Sequence, residues 1–244
     1  MLEKFYRKSE VWFAVAFIIV YVAGNSYMLQ LSRNAGISMV YTIPFNILLL
    51  GILFLFMRRN QLFQYYCLNV PKCKSSAVLY YIPMVLIASV NLWMGFRFKM
   101  DAFHSAVYFT AMILTGIAEE LLFRGLLFRA MAKDSMKSAV ILTSILFGMG
   151  HIVNLFNGNS DNILATICQL FYAAAVGFLF AAVLLTSESI IPCMITHSVL
   201  NALGTFSNEV ALDEIQIPVA IALCVISGAS AWIIFRSNKH SMAR

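Results

Sequence analysis

The hydrophobic residues of this chain form long runs that are separated by short polar segments. A helix needs about 20 mostly apolar residues to cross the roughly 30 Å hydrocarbon core of a membrane. The predicted fold is therefore all-α, a polytopic membrane helical bundle in which residues 1–244 form a single integral membrane domain. The runs predict about eight transmembrane helices, near residues 11–31, 37–57, 77–96, 104–131, 137–156, 162–186, 188–206 and 214–235.

The first run and the link between the sixth and seventh runs each allow a more specific prediction. Lys4, Arg7 and Lys8 precede the first run as in a signal peptide, but this run exceeds the about 7–15 residues of a signal peptide's apolar region. We therefore interpret it as a retained first helix. The link at Ser187–Glu188 is very short, so the two helices beside it are expected to form a tight hairpin, with Pro192 early in the second.

Composition supports lipid as the main solvent of the chain. Hydrophobic residues make up 61% and charged residues 11% of it, whereas soluble domains average about 45–50% apolar and about 25% charged residues. The net charge is +6, yet no basic stripe with interleaved aromatic residues is present, so no nucleic-acid partner is expected. Basic residues beside the apolar runs account for the charge.

The basic residues between the runs are distributed unevenly over the two sides of the predicted bundle. Cytoplasmic segments of membrane proteins are enriched in Lys and Arg, so the richer side is expected to be cytoplasmic, with both termini on it and the chain in the cell membrane. The poorer side has Arg33, Arg97 and Lys99. The richer side has Lys4, Arg7, Lys8, Arg58, Arg59, Lys72, Lys74, Lys133, Lys137, Arg236, Lys239 and Arg244.

A few titratable residues interrupt the apolar runs themselves. A charged side chain at the centre of a bilayer costs about 2.5–3.5 kcal/mol on insertion scales, and such residues usually mark a functional site. They fall on the fourth, fifth and seventh predicted helices, and we expect them to surround one water-filled cavity. These residues are Glu119, Glu120, Arg124, Arg129, His151 and His197.

The spacing within the fourth helix separates the two glutamates. Glu120 and Arg124 are four residues apart, so they share a helix face and can form an ion pair. Glu119 is rotated by about 100° from Glu120 and has Phe123 four residues on. A carboxylate near apolar walls has a raised pKa, which suits a general base near neutral pH. We therefore predict that Glu120 is held by Arg124 and that Glu119 performs chemistry, although a purely structural role for the pair stays open.

Two histidines are each accompanied by an asparagine on nearly the same helix face. His151 ends the run 147–151, in which two glycines permit close approach of another backbone, and Asn154 follows it by three residues. His197 and Asn201 are four residues apart on the seventh helix. Both pairs offer hydrogen-bonding groups to a single site.

The pattern favours hydrolysis of an amide bond over other chemistries. The chain has no His-Glu-x-x-His zinc motif and no Gly-x-Ser-x-Gly elbow, and Ser198 diverges from the adjacent His197. A dispersed zinc site of Glu119, His151 and His197 stays open. The arrangement fits best with water activated by Glu119 and His151, and with an oxyanion stabilised by His197 and Asn201.

Three ordered motifs resemble those of the CAAX protease and bacteriocin-processing family, also called the Abi family. They lie within residues 104–206, which we interpret as the family core. The motifs are Glu119-Glu120-x-x-x-Arg124, Phe147-x-x-x-His151 and His197-x-x-x-Asn201.

The resemblance implies a glutamate-dependent intramembrane endopeptidase of the bacterial type, which acts without a cofactor on a membrane-associated or lipidated peptide or protein. It implies water activation by Glu119 and His151, and an oxyanion hole of His197 and Asn201. Zinc is the alternative, with ligands Glu119, His151 and His197. The supporting residues are Glu120, Arg124, Phe147 and Asn154.

Two other readings of the polar residues stay open. A non-proteolytic bacteriocin-immunity or peptide-binding membrane protein would use them as a structural or binding cluster. A transporter would use them as a proton relay, but the chain lacks the internal repeats that many transporters have.

Overall fold

The computed structural model of the protein describes residues 2–72, 79–157, 162–208, 210 and 214–237. Within these ranges the chain is helical, and its only β-type pairing is an isolated antiparallel bridge between Phe96 and Ser207. The predicted all-α fold is therefore confirmed.

Eleven α-helices follow one another along the described residues. A π-helical segment, Leu121–Leu127, joins α5 to α6. The helices are α1 Leu2–Lys8, α2 Glu10–Asn34, α3 Thr42–Arg59, α4 Ile82–Ala88, α5 Ala102–Glu120, α6 Phe128–Ala132, α7 Met136–Gly150, α8 Val153–Phe156, α9 Ile163–Ser187, α10 Ile191–Leu203 and α11 Gln216–Ser237.

The described residues contain six helices that are long and apolar enough to cross a membrane, one of them the continuous stretch Ala102–Ala132. A polytopic helical bundle is thus confirmed, but the predicted count of eight spans is not. Short helices replace the predicted spans 77–96 and 188–206, where α4 has 7 residues and α10 has 13. Hydropathy does not register helix breaks: α4 already ends at Ala88, and only a short 3-10 turn, Val90–Leu92, follows it.

The tight hairpin between α9 and α10 is present as predicted. Helix α9 ends at Ser187, and Glu188 adopts the left-handed conformation with φ of 51° and ψ of 30°. Helix α10 then begins at Ile191 with Pro192 in its first turn, where a proline has no hydrogen-bonded N–H to lose.

One end of the bundle gathers the basic connections. The Glu10 carboxylate accepts hydrogen bonds from the Tyr65 hydroxyl at 2.8 Å and from Lys133 Nζ at 2.6 Å, and the backbone N–H of Lys72 donates to the carbonyl of Ser187 at 2.8 Å. Burial and the neighbouring Glu10 carboxylate raise the pKa of Tyr65, so its hydroxyl keeps the proton that it donates. We call this the basic end; it comprises residues 4–10, 58–72, 129–137, 187–190 and 236–237.

The other end of each long helix lies at the opposite end of the bundle. Asn157 Nδ2 donates to Ser26 Oγ at 3.0 Å, and Lys99 Nζ donates to the carbonyl of Gly204 at 2.9 Å. We call this the opposite end; it comprises residues 33–41, 93–101, 150–157 and 204–208. Lys74, Lys239 and Arg244, which the charge argument assigned to the basic side, lie outside the described residues.

Candidate active site

The motif glutamates stand where the α-helix changes into a π-helix. Glu119 and Glu120 are the last residues of α5, and all seven residues of Leu121–Leu127 that follow are buried. π-helical turns are rare and are found frequently at functional sites. The charged residues of this motif are therefore held in the packed centre of the bundle.

Glu120 and Arg124 form the ion pair that their spacing predicted. Arg124 Nη1 donates to Glu120 Oε1 at 3.1 Å, and the two side chains are 1% and 0% exposed. The Arg124 guanidinium also lies 4.0 Å from the centroid of the Phe147 ring and 5.5 Å from that of Phe180. Attraction between a cation and an aromatic face strengthens on desolvation, so Phe147 contributes to holding this buried charge.

His197 lies between the two glutamates. Its Nδ1 is 2.9 Å from Glu120 Oε1, and its Nε2 is 3.5 Å from Glu119 Oε2. The ring meets Phe147 edge-on, with 5.5 Å between the centroids. Because Glu120 Oε1 also accepts from Arg124, this carboxylate is a hydrogen-bond acceptor, and His197 Nδ1 is the donor. Spacing along the chain did not predict this position.

Glu119 has a partner that sequence reasoning missed. The Tyr21 hydroxyl, from the middle of α2, donates to Glu119 Oε1 at 2.9 Å. Spacing relates Glu119 only to residues close to it on its own helix, and the residue four positions on is Phe123. A tyrosine within an apolar run gives no signal of such a contact, because aromatic residues are common in membrane helices.

A glycine allows α10 to approach α5 closely enough to bring His197 to the glutamates. A Cβ at Gly116 would lie 2.6 Å from the backbone N of Ser198 and 2.7 Å from its Cα. Ser198 Oγ donates to the carbonyl of Ile113 at 3.0 Å. Ser198 therefore bridges two helices, which agrees with the sequence argument against a serine nucleophile.

A second glycine contact positions His151. A Cβ at Gly148 would lie 2.5 Å from the carbonyl oxygen of Leu170 in α9, so the predicted close approach of a backbone is present there. Gly150 has no atom within 4 Å of such a Cβ. His151 follows directly after α7, and its ring stands edge-on to Phe147 with 5.5 Å between centroids.

Several predicted site residues line one cavity of about 420 Å³. They are Glu119, His151, Asn201, Phe147 and Asn154.

Tyr21 lines this cavity too, whereas His197, Glu120 and Arg124 are not among its lining residues. These three stand behind Glu119 instead. Asn154 Nδ2 donates to Gln169 Oε1 at 3.1 Å, which links the wall of the cavity to α9.

Arg129 does not join the cluster that was expected around the cavity. Its Nε donates to the carbonyl of Tyr65 at 2.9 Å, and its guanidinium lies 5.2 Å from the Tyr65 ring centroid. Arg129 belongs to α6, beyond the π-helical segment. The helix has reached the basic end by that residue, so Arg129 lies away from the cavity and pairs with Tyr65.

A zinc site does not emerge from the donor groups in the described part of the chain. No group of three or more His, Cys, Asp or Glu side chains within it is placed to hold a metal ion. His197 directs one ring nitrogen at Glu120 and the other at Glu119.

Comparison with known proteins agrees with the motifs. Residues 102–203 match the family model described as type II CAAX prenyl endopeptidase Rce1-like. No curated protein and no solved structure matches the chain. The matched segment contains every predicted site residue, while Tyr21 lies outside it.

The family implies a membrane protease with a peptide or protein substrate, and the six long apolar helices agree with a multi-pass membrane protein. The resemblance to the CAAX proteases is thereby confirmed. Residues 102–203, about two fifths of the chain, are thus similar to the Rce1-like type II CAAX prenyl endopeptidases.

Proposed function

We propose that this protein is a glutamate-type intramembrane endopeptidase of the cell membrane. It hydrolyses a peptide bond in a membrane-associated or lipidated peptide or protein. The observation that carries the proposal is the convergence of Glu119, His151 and Asn201 on one cavity, with His197 placed directly behind Glu119. These residues come from three separate segments of the chain, and each would be costly in lipid without such a cavity.

Glu119 and His151, the carboxylate and the imidazole of the cavity wall, activate the water. Glu119 takes a proton from water, and the hydroxide attacks the carbonyl carbon of the scissile bond. A positioned general base of this kind contributes about 10²–10⁴-fold to the rate. The Tyr21 hydroxyl bonds one carboxylate oxygen of Glu119 and fixes the direction of the other.

The oxyanion of the tetrahedral intermediate is stabilised by Asn201 and His197. The Asn201 amide donates from the cavity wall. His197 stands behind Glu119 and not on the cavity wall itself; its Nδ1 bonds Glu120, so Nε2 is the ring nitrogen that faces the reaction side. One well-placed donor contributes about 3–4 kcal/mol to such a step.

Collapse of the intermediate completes the reaction. The C–N bond breaks, the proton held by Glu119 passes to the leaving nitrogen, and the products are a carboxylate and an amine. Glu120, Arg124 and Phe147 are positioning residues in this scheme, because they hold the His197 ring.

The proposed mechanism uses no metal. Glu119, His151 and His197 would be the ligands of a zinc ion, but His197 Nδ1 bonds Glu120 and its Nε2 faces a carboxylate oxygen at 3.5 Å. The residues present therefore do not form a three-donor site, and no step is assigned to zinc.

The decisive experiment compares new peptide termini in membranes of cells that express wild type or Glu119→Gln at equal protein levels. We expect a set of termini that is present with wild type and absent with Glu119→Gln. Glu3→Gln is the matched control, since Glu3 is an exposed carboxylate paired with Arg7, and it is expected to preserve the set.

An unchanged set of termini with Glu119→Gln would refute proteolysis at this site. A biological effect that survives this substitution would favour the non-proteolytic immunity or peptide-binding protein instead.

A further inference from the structure

The cavity extends from Glu119 toward one end of the bundle only. Its lining includes Leu29 and Arg33 from the end of α2, Ser38 from the turn that follows, and Tyr108 from the first half of α5. Ser38 and Arg33 are exposed. No lining residue comes from the part of the basic end that the structure describes. The cavity therefore opens at the opposite end.

A contact between helices shapes the rim of this opening. Arg33 Nη1 donates to the backbone carbonyl of Asn157, and Asn157 Nδ2 donates to Ser26 Oγ at 3.0 Å. These bonds tie the end of α2 to the segment that follows His151. The rim is thus formed by the same two chain segments that carry Tyr21 and His151 deeper in the cavity.

The distribution of charge assigns the two ends to the two sides of the membrane. In the described residues, the Lys and Arg side chains at the opposite end are only Arg33, Arg97 and Lys99. Lys and Arg are enriched in cytoplasmic segments that adjoin transmembrane helices, so the basic end is cytoplasmic. The described Lys and Arg residues of the basic end are Lys4, Arg7, Lys8, Arg58, Arg59, Lys72, Arg129, Lys133, Lys137 and Arg236.

The chemistry of the wall fits a peptide backbone. Five amide side chains line the cavity: Asn25, Asn154, Asn157, Gln169 and Asn201. Amides donate and accept hydrogen bonds, as does each residue of an extended peptide. A volume of about 420 Å³ lies within the about 300–1,000 Å³ typical of ligand sites, so it accommodates a short peptide segment.

We infer that the site is entered from the extracytoplasmic side, and that its substrate is an extended peptide segment of an exported or membrane-anchored protein. A prenylated C-terminus presented from the cytosol would arrive at the wrong end of the bundle. This inference rests on the proposed function for the cleavage itself, while the direction of access rests on the cavity and the charge distribution alone.

Access is tested by labelling single added cysteines in intact cells with a membrane-impermeant maleimide, against the parent chain as background. Ser38→Cys places a thiol on the cavity rim, and Asp134→Cys places one on the exposed turn after α6 at the basic end. We expect Ser38→Cys to react in intact cells, and Asp134→Cys to react only after permeabilisation. The reverse pattern overturns the inference, whether or not the protein is a protease.

Blocking of the cavity is tested with the same reagent. A bulky maleimide on Ser38→Cys is expected to reduce cleavage at least tenfold relative to the same variant before labelling. Arg97→Cys is the matched control, because Arg97 is exposed at the same end and does not line the cavity. Equal cleavage by labelled and unlabelled Ser38→Cys would refute entry past this rim.

The location of the wild-type-dependent termini tests the substrate class. We expect all of them in segments that lie outside the cytoplasm. Termini confined to cytosolic segments overturn the inference and leave the protease intact. A complete absence of such termini, with Ser38→Cys labelled in intact cells, overturns the proposed function and with it the substrate class, while the direction of access stands.

Discussion

Replacement of Gly116 by alanine tests whether the close contact between α5 and α10 positions the site. The added Cβ would lie 2.6 Å from the backbone N of Ser198, 2.7 Å from its Cα and 2.8 Å from its Oγ. Two of these atoms belong to the backbone, so no side-chain rotation relieves the contact. Helix α10 must move away from α5, and His197, the neighbour of Ser198, moves with it.

The expected cost follows from two opposing effects. Overpacking of a well-packed interior costs about 1–3 kcal/mol, whereas glycine to alanine within a helix stabilises by about 0.5–1 kcal/mol. Overpacking dominates because the clash is with backbone, and Gly116→Ala is expected to be less stable than wild type. The effect on rate is larger, since a displacement of about 1 Å in a catalytic group costs about 100-fold.

The assay combines thermal unfolding of the purified protein in detergent with the rate of peptide cleavage. Gly228→Ala in α11 is the matched control, because a Cβ there has no atom within 4 Å, and it is expected to retain both stability and rate. The reasoning is refuted if Gly116→Ala unfolds at the temperature of Gly228→Ala and cleaves as fast.

Three further predictions concern the polar residues. Tyr21→Phe is expected to lower kcat about tenfold or more, because it removes a hydrogen bond to a charged group, which contributes about 1.5–3 kcal/mol; an unchanged kcat would exclude a role for this bond to Glu119. Glu120→Ala leaves the Arg124 charge buried and unpaired, so it is expected to destabilise by about 3–5 kcal/mol in thermal unfolding, and a wild-type melting temperature would argue against the ion pair. Cleavage by the purified protein is expected to persist in 1,10-phenanthroline, and loss of cleavage that added Zn²⁺ restores would contradict the metal-free mechanism.

Two features of the site were predictable from local sequence alone. The pairing of Glu120 with Arg124 was predictable because residues four apart share a helix face. The approach of a backbone at Gly148 was predictable because small residues mark close helix contacts in membranes. Both inferences concern one helix and its immediate surface, where spacing along the chain translates directly into position.

The spacing of residues along the chain did not predict the contacts between distant helices. Tyr21 and Glu119 are 98 residues apart, and Glu120 and His197 are 77 apart. The sequence identified His197 as a polar residue that needed partners, but the partners depend on how α10 packs against α5. Hydropathy similarly overestimated the continuous spans, because it counts apolar residues and does not detect where a helix stops.

The sequence by itself determined that this chain is a polytopic helical bundle and singled out the titratable residues within its apolar runs. Those conclusions rest on hydrophobic run length and on the cost of a charge in hydrocarbon, and both act locally. Only the tertiary structure decided that His197 stands between two glutamates, that Tyr21 bonds Glu119, and that the cavity opens at the opposite end. These features arise from side chains of helices distant in sequence, which meet only when the bundle packs.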